Sequence, residues 1–260
     1  MTHKPLVPGA EGERPSLIAL GVGDAFSNLY YSSCFIVKIS DAFLLVDCPH
    51  PIRKIMREAG PIGGRWIDVE CLTAVAISHL HADHSSGLEG LAFFSHFTLG
   101  RRIPLITHPD VSQHLWNGRL AGGMDVEIDP TTWTARAHTL ESYFDIVPMM
   151  EGRETKVGPF TILCRKTMHT VQTTAMKIRA GGRVLGYSAD SAFDPGLIDW
   201  LSDADLIVHE TNTGIHTPYE KLAALPEGLR AKMRLIHYPD DFHPDDGRIP
   251  LLRQGERLDI

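Results

Sequence analysis

Four side chains able to ligate a metal fall within six residues, His79-Leu80-His81-Ala82-Asp83-His84. They follow directly on TAVAIS (73–78), a β-branched, apolar run that reads as a buried strand. At the end of an extended run, residues i and i+2 point to the same side, so His79 and His81 can grip one cation together. Asp83 and His84 arrive as the chain turns and could face a second cation. Imidazole nitrogen with carboxylate oxygen is a donor set suited to zinc, iron or manganese. The chain holds 14 histidines in 260 residues, and here they cluster. A histidine-rich surface turn is the plain alternative, but it leaves unexplained why an apolar strand runs straight into four ligands.

Such a turn needs a frame. LIALGVG (17–23), SCFIVKIS (33–40), AFLLVDC (42–48) and PLITH (104–108) read as strands. The second and third could pair through a tight turn near Ser40 and Asp41. YFDIVPM, FTILCRK, TTAMKIRA and RVLGYS add four more strand-like runs between 143 and 188, and DLIVHE (205–210) and MRLIHY (233–238) follow. PIRKIMREAG (51–60), DPGLIDWLSD (194–203) and a capped TPYEKLAAL (217–225) read as helices. The fold class is α/β, with two packed sheets and helices outside. Residues 1–260 are expected to form a single domain, with 1–15 a flexible or extended N-terminal segment. Residues 85–103 and 116–142 are the least regular and read as loops or lids.

Composition narrows the function. The chain is 43% hydrophobic and 22% charged, ordinary globular values. Lys plus Arg is 25 against 32 for Asp plus Glu, a net charge of -7, which argues against nonspecific nucleic-acid or anionic-membrane binding. No apolar stretch approaches the ~18 residues of a membrane span. Cys34, Cys48, Cys71 and Cys164 are scattered without a CxxC pair, so a reduced, cytoplasmic setting is expected. His3, His50, His96, His108, His114, His138 and His243 lack ligand context. Arg101, Arg102 and Arg119 could meet an anion or stay solvated. Phe93, Phe94, Phe97 and Trp116 could line a pocket or pack in the core.

HLHADH followed by SSGL resembles the metal-binding signature of the metallo-β-lactamase-fold hydrolases, over roughly 17–240. The opener LGVGDAFSN resembles that fold's first strand and turn, and LLVDCP its strand ending in an aspartate, here Asp47. The resemblance implies a metallo-β-lactamase-type αββα sandwich, two mixed sheets packed face to face. It implies that His169 (KTMHTVQTT), Asp190 (LGYSADS) and His237 (RLIHYPDD) complete the ligand set. One cation would see His79, His81, His169 and Asp190; the other Asp83, His84, Asp190 and His237. DLIVHET and His216-Thr217 resemble the ribonuclease Z branch, where this histidine donates a proton, so His216 becomes the candidate general acid. Activity would also depend on Asp83 through the second cation. Asp47, His209 and Glu210 would stand behind the ligands and orient them.

The implied cofactors are two divalent ions, zinc foremost, with manganese or iron open. The implied reaction is hydrolysis by a hydroxide activated between them. A small anionic substrate is expected, a phosphodiester of small or cyclic nucleotide type. A lactone or thioester hydrolase, ribonuclease Z-like RNA processing and a non-catalytic metal- or ligand-binding member remain alternatives. Only 21 positions separate His169 from Asp190, which leaves no room for the tRNA-binding arm of that branch, so extended nucleic acid is not expected. Neither is a membrane, and a homodimer remains open.

Overall fold

The computed structural model describes residues 14–60, 66–244 and 246–260. The expectation for 1–15 lies outside the described residues except at Arg14 and Pro15. There the Pro15 carbonyl accepts a hydrogen bond from the Ile260 N–H.

The strands, in chain order, begin with β1 (Ser16–Gly21), β2 (Cys34–Ile39), β3 (Ala42–Val46), β4 (Leu72–Ala76) and β5 (Ile103–Thr107). β6 (Val126–Ile128) and β7 (Ala135–Ala137) form a separate antiparallel hairpin. β8 (Phe144–Pro148), β9 (Thr155–Val157), β10 (Phe160–Lys166), β11 (Thr174–Ala180) and β12 (Arg183–Tyr187) follow. β13 (Leu206–Glu210), β14 (Met233–Ile236) and β15 (Arg257–Asp259) complete the series. The first large sheet has the order β15-β1-β2-β3-β4-β5-β8, and the second β14-β13-β12-β11-β10-β9. Both are mixed. β2 pairs antiparallel with β1 and β3, whereas β3, β4, β5 and β8 run parallel; in the second sheet only β12, β13 and β14 do.

The central strands are apolar on both faces, and the pleat explains why. In β1, Leu17 and Ala19 join a cluster that also holds Phe160, Ile162, Met176 and Tyr187 of the second sheet. Their neighbours Ile18 and Leu20 join a different cluster, with Ile52, Ile55 and Met56. A third cluster packs Ile207 and Leu235 against Leu197, Leu201 and Leu222. Strands buried on two sides read as continuous rather than alternating runs, which is what AFLLV and LIALG are. The result is four layers, helices outside two facing sheets.

The helices take their places for the same reason. α1 (Ile52–Ala59) buries Ile52, Ile55, Met56 and Ala59, the i, i+3, i+4, i+7 stripe of one face, and Gly60 closes it through its N–H to the Met56 carbonyl. α2 (Ala82–Ser85) carries the HLHADH turn, and α3 (Leu88–Phe93) follows it. α4 (Pro109–Leu115), α5 (Ala121–Met124), α6 (Leu140–Tyr143), α7 (Pro195–Leu201), α8 (Tyr219–Ala223) and α9 (Glu227–Arg230) complete them. Among the described residues no helix is long and apolar enough to cross a membrane.

Two expectations are corrected. Residues 85–103 and 116–142 are largely ordered elements: α3, α5 and the β6–β7 hairpin, with π-helical turns at Phe94–Thr98 and Trp116–Leu120. A π turn adds a residue to each repeat and so breaks the 3.6-residue period that marks a helix in sequence. Phe93 from the end of α3, and Phe94 and Trp116 from these turns, pack on the core, and Phe97 is exposed. The last predicted helix starts late, at Tyr219, with Pro218 before it and no side-chain cap. Thr217 is buried and donates its hydroxyl to the Ser191 carbonyl instead.

The join between α2 and α3 is tight. The Gly87 N–H donates to the Cys48 carbonyl and the Cys48 N–H to the His84 carbonyl, each at 2.7 Å. A Cβ at Gly87 would stand 2.4 Å from the Pro49 carbonyl oxygen. Gly87→Ala is expected to destabilise the protein by about 1–3 kcal/mol, the cost of overpacking against backbone. Denaturant titration reads this, and an unchanged midpoint would contradict it.

Candidate metal centre

The parallel strands deliver the polar residues. Asp47 leaves β3, Ser78 to His84 leave β4, Asp190 leaves β12, Glu210 ends β13 and His237 follows β14. His169 comes from the connection between β10 and β11. Sites in α/β sheets form at the carboxyl ends of strands in this way. Some of these turns hold non-glycine residues in the left-handed region, with φ of 60° at Asp47, 50° at Ala189 and 62° at His237.

His79, His81, His169 and Asp190 place their ligand atoms within 4.8 Å of one another. His81 Nδ1 lies 3.2 Å from His79 Nε2 and 3.1 Å from His169 Nε2. Asp190 Oδ2 lies 3.7 Å from both His79 Nε2 and His169 Nε2. Asp83, His84 and His237 form the adjoining group. Asp83 Oδ2 is 3.3 Å from His84 Nε2 and 3.2 Å from His237 Nε2. Asp190 faces both groups: Oδ1 lies 3.3 Å from His84 Nε2, and Oδ2 3.5 Å from His237 Nε2.

These residues fit a pair of cations. Ligand atoms bonded at ~2.1 Å in a tetrahedron stand about 3.4 Å apart, close to the observed separations. His84 Nε2 and Asp190 Oδ1 are buried without a hydrogen-bond partner among the described residues, a costly state unless a cation takes their lone pairs. Burial drives the pKa values of His79, His81 and His169 down, that of His169 to about 4, leaving neutral imidazoles able to ligate. Burial would raise the Asp83 carboxyl, but the His237 hydrogen bond and the neighbouring His84 imidazole outweigh it and lower it instead. Burial opposes charge on His84 and His237 too, yet Asp190, with Asp47 beside His84 and Asp83 beside His237, raises both. One group is therefore rich in neutral imidazole, and the other in carboxylate charge.

Behind the ligands stands Asp47, fully buried. Its Oδ1 accepts the Ser78 N–H at 2.8 Å, and its Oδ2 the Ser78 hydroxyl, the Tyr187 hydroxyl and His84 Nδ1 at 2.9, 3.0 and 2.8 Å. The Ser78 hydroxyl, having donated to Asp47, is left to accept from His79 Nδ1 at 2.9 Å. Both imidazoles then carry hydrogen on Nδ1 and turn the Nε2 lone pair to the site. Ser78 and Tyr187 escape sequence reasoning. A serine before a ligand and a tyrosine in an apolar strand carry no signal until the sheets bring them together.

Glu210 and His216 flank the pair. Glu210 Oε1 accepts the Ser191 N–H at 2.7 Å and lies 3.0 Å from His216 Nδ1, which is 4.0 Å from Asp190 Oδ2. Burial disfavours the charged imidazole of His216, but the Glu210 hydrogen bond and charge prevail and raise its pKa. Burial, with the Asp190 charge, raises Glu210 as well. His209 is not brought onto the ligands. It is buried, and its Nδ1 donates to the Glu210 carbonyl at 2.7 Å.

The three loop arginines part company. Arg101 donates to the carbonyls of Val69, Glu70 and Leu72, and Arg102 pairs with Asp145. Arg119 is exposed, and its charge adds to burial in lowering the His81 pKa.

Comparison with known proteins accords with this geometry. The family model described as anti-Pycsar protein Apyc1 matches residues 15–258. The anti-Pycsar protein Apyc1 of Paenibacillus sp. (strain J14) is 29% identical over 248 residues, covering 91% of this chain and 96% of its own. That of Saccharibacillus brassicae is 30% identical over 252 residues, covering 92% and 98%. Among solved structures, the metallo-β-lactamase fold protein YhfI of Bacillus subtilis superposes with a TM-score of 0.74 at 21% identity, covering 95% of this chain and 99% of that one. The fold is therefore that of the metallo-β-lactamases, and the chain belongs to the Apyc1 family of anti-Pycsar proteins.

Proposed function

We propose that this chain is a metal-dependent phosphodiesterase that hydrolyses small or cyclic nucleotides, with zinc the first choice of ion and manganese or iron able to use the same donors. The observation that carries the proposal is Asp190, whose two oxygens face two adjoining ligand groups beside the Glu210–His216 couple. The name shared by its relatives, a protein acting against Pycsar, accords with a nucleotide substrate. A bound pair of divalent ions would supply Lewis acidity and a nucleophile at neutral pH.

The chain supplies the rest. Asp47 and Ser78 lock the His84 and His79 rings. Glu210 accepts from His216 Nδ1, which favours the charged imidazole and leaves its Nε2 hydrogen to pass to a departing alkoxide. Arg119 offers a guanidinium to the phosphate. Met168, Val171 and Ile215, exposed apolar neighbours in the chain of His169 and His216, offer a nucleoside a surface for contact.

The test is His216→Ala assayed on a cyclic nucleotide and on bis-p-nitrophenyl phosphate. The zinc content should hold while kcat for the nucleotide falls by about 10²–10⁴-fold, the worth of a general acid. The loss on the nitrophenyl ester should be far smaller, because its leaving group needs no proton. Equal losses on both would remove His216 from proton transfer, and no turnover by the unsubstituted protein would sink the whole reading. Arg119→Ala should raise KM by about tenfold or more, the worth of one charged hydrogen bond, with kcat little changed. An unaltered KM would take Arg119 out of substrate binding.

A further inference from the structure

Away from the paired clusters, three more ligating side chains meet. His96, Glu127 and His138 place their ligand atoms within 4.8 Å of one another and share no residue with the centre described above. They come from the π turn Phe94–Thr98, from β6 and from the residue after β7. His138 is buried, and its Nε2 lies 2.8 Å from Glu127 Oε2. That hydrogen bond accounts for two of the three but not for His96. The His96 ring stands edge-on to His138 with centroids 5.7 Å apart, and among the described residues it has no hydrogen bond. Tyr143 backs both imidazoles, with centroids 5.1 Å from His96 and 5.2 Å from His138, and its hydroxyl donates to the Met124 carbonyl.

The location matters because of what it holds. The β6–β7 hairpin pairs with neither large sheet, and Val126, Ile128 and Trp133 on it are exposed. A lone two-stranded ribbon is marginal in water. The His138 N–H to the Asp125 carbonyl and the His138–Glu127 contact join its own two arms.

We propose that His96, Glu127 and His138 form a further divalent-cation site, which pins the β6–β7 hairpin to the π turn. Two imidazole nitrogens and one carboxylate oxygen suit a borderline ion such as zinc and leave its fourth position to water. The ion replaces the His138–Glu127 hydrogen bond and recruits His96. It thereby joins elements that the sequence keeps far apart, closing a loop whose entropy no sheet pairing offsets.

The experiment is zinc titration of the full-length, metal-stripped protein, with bound zinc counted after gel filtration. His96→Ala and Glu127→Gln should each hold one equivalent less than the unsubstituted protein. Only that difference is read, so the result stands apart from the occupancy and activity of the paired centre. Glu127→Gln keeps the side-chain shape and decides the matter if His96→Ala folds poorly. In parallel, amide exchange across 126–137 should slow by about tenfold when zinc is near ten times its dissociation constant, and should not slow in Glu127→Gln. Equal zinc contents, or hairpin exchange indifferent to zinc, would overturn the proposal.

Discussion

Asp190→Ala should lose two bound divalent ions relative to the unsubstituted protein, and kcat/KM for a phosphodiester should fall by about 10⁴-fold or more, ~5.4 kcal/mol of barrier. The expectation follows from one carboxylate facing two ligand groups. Asp190 Oδ1 approaches His84, while Oδ2 is set among His79, His169 and His237. Asp83 instead meets only His84 and His237. Asp83→Ala should therefore lose one ion and keep the other, although its activity also collapses. Elemental analysis of the two variants side by side separates a shared ligand from an unshared one. An equal loss in both would show that Asp190 does not join the two groups.

Asp47→Ala should cost about 3–5 kcal/mol of folding stability, the penalty for stripping the partner from buried charged and polar groups. Asp47 accepts from the Ser78 N–H, the Ser78 hydroxyl, the Tyr187 hydroxyl and His84 Nδ1, all buried. Its removal leaves those donors without an acceptor in a space too apolar to compensate them. Asp47→Asn keeps the shape and one acceptor oxygen, so it should cost less in folding while weakening metal affinity by about 10–100-fold. Denaturant titration reads the first effect and zinc competition the second. A loss below about 1 kcal/mol in Asp47→Ala would assign the buried carboxylate no structural role.

Much of the centre was legible because its residues sit where polar groups have no other reason to be. His79, Asp190, Glu210 and His237 end or follow apolar strands, and a strand end that swaps apolar for ligating residues is a local event. Tyr187 was not legible, since only the packing of two sheets carries its hydroxyl to Asp47. The same limit applies to His96 and His138, read from the sequence as lacking ligand context and set beside Glu127 only by the fold. Their neighbourhood is made by the turn of a hairpin and by a π bulge, neither of which leaves a period in the letters. Thr217 illustrates the opposite error. Its type and position suit a helix cap, but the Ser191 carbonyl offers it a buried partner, and tertiary contact prevails over local preference.

β15 has a consequence beyond the candidate metal centre. It covers the outer edge of β1 over Ser16–Ile18, and the buried Ile260 side chain follows it into the core between the sheets. Removing Arg257–Ile260 would bare a row of unpaired amides on a buried, largely apolar strand, the template on which chains stack into insoluble aggregates.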